Sequence, residues 1–209
     1  MNSKLVGPLL LLMALSVSAD SIISEQLSSL NQPVSNNAVT LVSTGEGVYV
    51  YSFLGLGKGK TWQDISSGAT VLGPNAESWR KLADVPGDAG RLAASAVTVG
   101  MSAWVFGGYT VSEDGSEEST PGVYKLSPGT SNLDRVSDMP VPVEDSVALV
   151  HQDRYVYLVS GWHDLGMSIS SRCLIRRPCN GHRPHPGRAS RYSVIPAESM
   201  KARCYFAME

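Results

Sequence analysis

At 209 residues the chain has room for one domain with a real core, and its formal net charge of −2 hides a division into two unlike parts. From Asp20 to Gly166 there are 17 acidic and 8 basic side chains, a net of −9, whereas Met167 to Glu209 hold 8 basic and 2 acidic, a net of +6. Beyond the first 19 residues no segment is long and apolar enough to cross a bilayer, which excludes a membrane span from the mature chain.

At the N-terminus one cation, Lys4, precedes an apolar stretch from Leu5 to Val17 that ends in the small residues Val17-Ser18-Ala19. This is the pattern of a secretory signal peptide over residues 1–19, with cleavage expected after Ala19 and a secreted or periplasmic mature protein. The run contains Gly7-Pro8 and is short for a bilayer, so an uncleaved anchor is the weaker reading. No cysteine follows the expected cut, which argues against a lipid-anchored N-terminus. Residues 20–33 read as a linker.

A repeat then begins. Trp79-Arg80-Lys81-Leu82-Ala83-Asp84-Val85-Pro86 aligns without gaps on Leu133-Asp134-Arg135-Val136-Ser137-Asp138-Met139-Pro140. Nearly the same offset carries Gly90–Val97 onto Glu144–Leu149, and Trp104-Val105-Phe106-Gly107-Gly108 onto Tyr157-Leu158-Val159-Ser160-Gly161. A fainter earlier copy places Val50–Gly55 at the double-glycine position and Ala69–Pro74 opposite Val123–Pro128. Within each unit, short β-rich runs such as 93–99, 103–106 and 123–126 alternate with Gly, Pro, Asn and Asp clusters, the mark of an antiparallel meander. The expected packing residues are Trp79, Pro86, Trp104, Gly107, Gly108, Tyr124, Pro140 and Gly161. The glycines would permit close backbone approach and unusual dihedrals, and the aromatic residues would supply bulk between sheets.

An apolar strand, Gly-Gly, a later Tyr, then Trp or an equivalent and Met/Val-Pro: this order resembles the Kelch repeat, over residues 34–166. The resemblance implies an all-β fold, a partial Kelch β-propeller of four-stranded antiparallel blades, about two and a half of them, followed by an irregular C-terminal tail. The chain is similar to secreted bacterial proteins related to the central domain of galactose oxidase. That likeness implies a binding face for carbohydrate or protein, or alternatively a galactose oxidase-like or sialic-acid epimerase-like sugar enzyme inactivated by truncation. The copper site of galactose oxidase, with its tyrosine joined to cysteine, has no counterpart between Asp20 and Gly166, where there is no cysteine. No cofactor is expected.

Other motifs have plainer readings. Gly55-Leu56-Gly57-Lys58-Gly59-Lys60-Thr61 ends like a phosphate-binding loop, but Leu54 stands where the first glycine is required, so an inter-strand turn is expected. The acidic run Glu113–Glu118 reads as a solvated loop. Trp162, His163 and Asp164, just past the third double-glycine equivalent, are the candidate binding residues, because loops at one end of a propeller commonly form the ligand face. From Met167 to Glu209 the periodicity is gone and the chain turns Arg-, Pro- and Cys-rich, as expected of translation out of frame. Cys179, His182 and His185, with Cys173 and Cys204 nearby, have ligand-like spacing but no framework, so no metal site is expected. Seven of the eleven arginines lie in this stretch, where they are weak evidence for nucleic-acid binding, so no nucleic-acid partner is expected.

Overall fold

Runs of β-branched and small residues broken by Gly, Asn and Asp turns pair as antiparallel strands throughout the region described by the computed structural model, residues 24–163 with the backbone of 166–167 and 171–173. The first sheet holds β1 (Ala38–Thr44), β2 (Gly47–Phe53), β3 (Ala69–Leu72) and β4 (Arg80–Lys81), in that order. The second begins with β5 (Ser95–Val99) and β6 (Ser102–Phe106). It continues, after a hairpin of β7 (Tyr109–Val111) and β8 (Glu117–Ser119), with β9 (Gly122–Leu126) and β10 (Leu133–Asp138). The third holds β11 (Val147–His151), β12 (Tyr155–Val159) and β15 (Ser171–Cys173), with β13 (Trp162–His163) and β14 (Gly166–Met167) as an inserted hairpin.

Turn chemistry sets the register. Between β1 and β2, where Thr44 faces Gly47, the Thr44 hydroxyl accepts from the Glu46 amide at 3.1 Å and donates to the Gly47 carbonyl at 3.1 Å. The Gly55–Thr61 segment is an inter-strand turn, as expected. There the Asp64 carboxylate accepts from the Thr61 amide at 3.1 Å and from its hydroxyl at 2.5 Å. These bonds hold the Asp64 carboxyl below the usual carboxylate range. A side chain at Gly59 would run into that carboxylate, which accounts for the glycine. The acidic 113–118 run is the tip and second strand of the β7–β8 hairpin, where the Asp114 carboxylate accepts from the Ser116 amide and hydroxyl.

Side chains alternate between the two faces of each strand, so the second sheet packs on both sides and the core lies between sheets rather than within one. The first joint is filled by Ala38, Val42, Phe53, Ala69 and Val71 from the first sheet and Ala103, Val105, Tyr124, Leu126 and Leu133 from the second. The second joint takes the other face of the second sheet, Val97, Val99, Trp104, Phe106 and Val123, against Val156 and Leu158 of the third. At roughly 1.5–3 kcal/mol for each large apolar side chain fully buried, these joints are the main source of stability. Adjacent sheets touch through their first strands, β1 with β5 and β5 with β11. There Thr40 and Thr98 hydroxyls meet at 3.0 Å, and the Ser95 hydroxyl donates to the Ser146 carbonyl at 2.5 Å. This is an all-β partial propeller.

The structure adds detail to three expectations. Pro86 and Pro140 are exposed, and it is the residue before each, Val85 and Met139, that enters a joint. The segment read as a linker is docked instead: the Trp79 indole N–H donates to the Ser28 carbonyl at 2.8 Å, Asn31 donates to the Trp79 carbonyl at 2.9 Å, and Leu30 packs on Val50, Leu72 and Trp79. Trp79 is equivalent to Leu133, which faces a preceding sheet; among the described residues no sheet lies against Trp79, and the N-terminal segment covers the indole in its place. Pairing also passes Gly166, where the repeat was read as ending: Met167 pairs with Trp162, and Ser171–Cys173 pair with β12. The signal-peptide region 1–19, Asp164, and residues 174–209 with Cys179, His182, His185 and Cys204 lie outside the described residues. Among the described residues no helix is long and apolar enough to cross a membrane.

Candidate functional site

The double-glycine positions build the site. In all three units two successive residues there are left-handed: Leu54 and Gly55 (φ 62° and 107°), Gly107 and Gly108 (58° and 88°), Ser160 and Gly161 (61° and 112°). The chain then turns back so that the next residue bridges the segment entering its own sheet. Leu56 exchanges backbone hydrogen bonds with Ser35, Tyr109 with Leu92, and Trp162 with Glu144, at 2.7–3.0 Å. A Cβ on the second residue of each pair would lie 2.5–2.8 Å from the carbonyl oxygen of Ser35, Leu92 or Glu144, so only glycine fits. The same glycine amides tie neighbouring sheets together, Gly55 donating to the Arg91 carbonyl at 3.0 Å and Gly108 to the Val143 carbonyl at 3.1 Å. After each bridge partner, Ser35, Leu92 or Glu144, comes another left-handed residue, Asn36, Ala93 or Asp145.

This geometry brings the post-glycine residues of successive sheets together. Between the second and third sheets they line a cleft of about 360 Å³ formed by Tyr109, Glu117, Glu144, Asp145, Trp162 and His163. Trp162 is 49% exposed, and His163 is half-buried. The Ser119 hydroxyl donates to the Glu144 carboxylate and fixes it in the wall. Burial, and then the nearby Glu117, Asp145 and Glu144 carboxylates, push the Tyr109 phenol above its ordinary value, so it stays a hydrogen-bond donor.

The repeat supplies an internal control. Where Glu144 and Asp145 stand in the third unit, the second has Leu92 and Ala93, with the same bridge and the same left-handed backbone. Where Trp162 and Tyr109 stand, the first unit has Leu56. The fold is made equally well with apolar residues at these positions, so the acids and aromatic rings are not required by packing. A larger cavity of about 430 Å³ lies between residues 30–34 and the first sheet. Its charged residues, Lys81 and Asp84, neutralise each other at 3.4 Å, and its lining offers no aromatic ring.

Of the residues singled out from sequence, Trp162 and His163 are in the cleft. Gly107, Gly108 and Gly161 shape it from behind, while Trp104 and Tyr124 belong to the joints. Tyr109, Glu117, Glu144 and Asp145 were not picked out as site residues. The signal for Tyr109 was present, since it follows its glycine pair as Trp162 follows the next. Among the described residues no three His, Cys, Asp or Glu side chains are grouped to hold a metal ion.

No family model matches the chain, and no curated protein matches it in sequence. Among solved structures, that of YjhT superposes with a TM-score of 0.59 at 15% identity, covering 72% of this chain and 45% of YjhT. The matched part therefore spans less than half the length of that protein, and the likeness is one of fold: successive antiparallel sheets, two of four strands and one of three among the described residues, as a partial β-propeller.

Proposed function

We propose that this chain is part of an exported Kelch-type propeller whose ligand is a neutral carbohydrate, bound in the cleft of Tyr109, Glu117, Glu144, Asp145, Trp162 and His163. The observation that carries this reading is the replacement of Leu92 and Ala93 by Glu144 and Asp145 at equivalent positions, facing an exposed Trp162. An exposed indole offers a flat apolar surface for the C–H face of a sugar ring, and carboxylates, the phenol and imidazole satisfy its hydroxyls. Three carboxylates in one cleft disfavour an anionic sugar. Export rests on the Lys4–Ala19 pattern.

The test is calorimetric titration with galactose, glucose and N-acetylneuraminate. Saturable binding of a neutral sugar, weakened at least about tenfold, or ~1.4 kcal/mol, by Trp162→Ala and by Glu144→Gln, is expected. Binding of the anionic sugar alone, or binding indifferent to both substitutions, would overturn the reading. A second reading, a sugar enzyme of the epimerase or galactose oxidase-like kind, is favoured by His163 sharing the cleft with carboxylates that could serve as its acid–base counterparts. Turnover of a bound sugar, lost on His163→Gln while binding persists, would establish that reading instead.

A further inference from the structure

The cavity of about 430 Å³ between residues 30–34 and the first sheet is open because that sheet departs from the second at three equivalent positions. Phe53 and Phe106 each precede a left-handed pair, Leu54-Gly55 and Gly107-Gly108, which fixes the equivalence. Strand register then sets the Ser52–Thr70 pair where the second sheet has Val105–Tyr124. Val34 and Arg91 correspond as well, each standing just before a bridge partner, Ser35 or Leu92. In the second sheet Val105 and Tyr124 fill the joint, and the Arg91 guanidinium lies 4.4 Å from the centre of the Tyr124 ring. In the first sheet the same space is bounded by Ser52, Thr70 and Val34.

The lining is polar as well as small. Ser52 is buried and accepts from Asn37 Nδ2 at 2.8 Å, while the Thr70 hydroxyl and the Gln32 carboxamide have no hydrogen-bond partner among the described residues. A polar cavity of this kind holds water or a hydrogen-bonding ligand, and its volume falls within the roughly 300–1,000 Å³ of small-molecule sites. Two charged side chains line it, Lys81 and Asp84. Their ion pair, at 3.4 Å, is more than half exposed at both ends, so it contributes little and is easily exchanged for other partners.

We propose that this cavity binds a small zwitterion of the amino-acid class, its carboxylate on Lys81, its ammonium on Asp84 and an apolar side chain against Leu30, Leu54 and Ile65. A ligand with a single charge would meet one member of the Lys81–Asp84 pair with its own sign, whereas a zwitterion satisfies both. A sugar would find no aromatic ring for its C–H face. The cavity shares no lining residue with the Trp162 cleft, so it stands independently of the carbohydrate reading.

Calorimetric titration of the full chain with L-leucine tests the assignment. Saturable binding is expected, unaffected by saturating galactose. Ser52→Val combined with Thr70→Tyr installs the pair that already packs in the second sheet, and it should fill the cavity and abolish leucine binding while β-sheet circular dichroism is kept. Lys81→Gln alters an exposed side chain and should weaken leucine binding at least about tenfold, which decides the matter even where the filled variant fails to fold. No saturable heat with leucine, full-strength binding in Lys81→Gln or in a folded filled variant, or displacement of leucine by galactose would each overturn the proposal.

Discussion

The left-handed backbone recurs at one place in every unit, and it is the residue-level feature on which the cleft depends. Gly108 has φ 88°, and a Cβ there would meet the Leu92 carbonyl oxygen at 2.6 Å. Gly108→Ala is therefore expected to lower unfolding stability by about 1–3 kcal/mol from backbone strain alone, measured by urea denaturation, and to move Tyr109 out of register. The spacing of the glycine pairs made this position legible in the sequence. Leu54 and Ser160 hold the same conformation without being glycine, which sequence reasoning had no signal to find. Tyr109 gives the cleft a pH dependence. Its phenol lies above the ordinary value of ~10, so between the unfolded and folded values the native protein holds a proton that the unfolded chain has released. Its contribution to stability is intact below about pH 10 and is lost as pH rises through the folded value. Phenolate absorbance, taken as a difference against Tyr109→Phe, should show this elevated titration, and Glu117→Gln should bring it down.

At the scale of elements, strands were readable because alternation and turn residues agree with the sheet register, whereas the role of the segment before β1 was not. Nothing in Ser28 or Leu30 shows that a tryptophan about fifty residues on will need covering. Trp79→Phe keeps an aromatic ring in that place and removes the indole N–H bond to Ser28. The expected result is a loss of about 1 kcal/mol and faster proteolytic cleavage within residues 24–34. Trp79→Ala should cost about 3–5 kcal/mol, since it also opens a cavity against Val50 and Leu72. The prolines show the opposite kind of misreading. Pro86 and Pro140 recur in the sequence because they turn the chain after β4 and β10, and a recurring residue is easily taken for a packing residue.

For the molecule as a whole, stability resides in the joints between sheets, two of which are made among the described residues. The amino-acid sequence by itself determined the strands, their repeat and the two-residue stretch Trp162-His163 of the cleft, because periodicity, turn chemistry and glycine spacing are local properties. Only the tertiary structure decided that Glu144, Asp145, Glu117 and Tyr109 share that cleft, that residues 28–31 cover Trp79, and which apolar residues face solvent. These depend on which sheet lies against which, and that is set by contacts between residues distant along the chain.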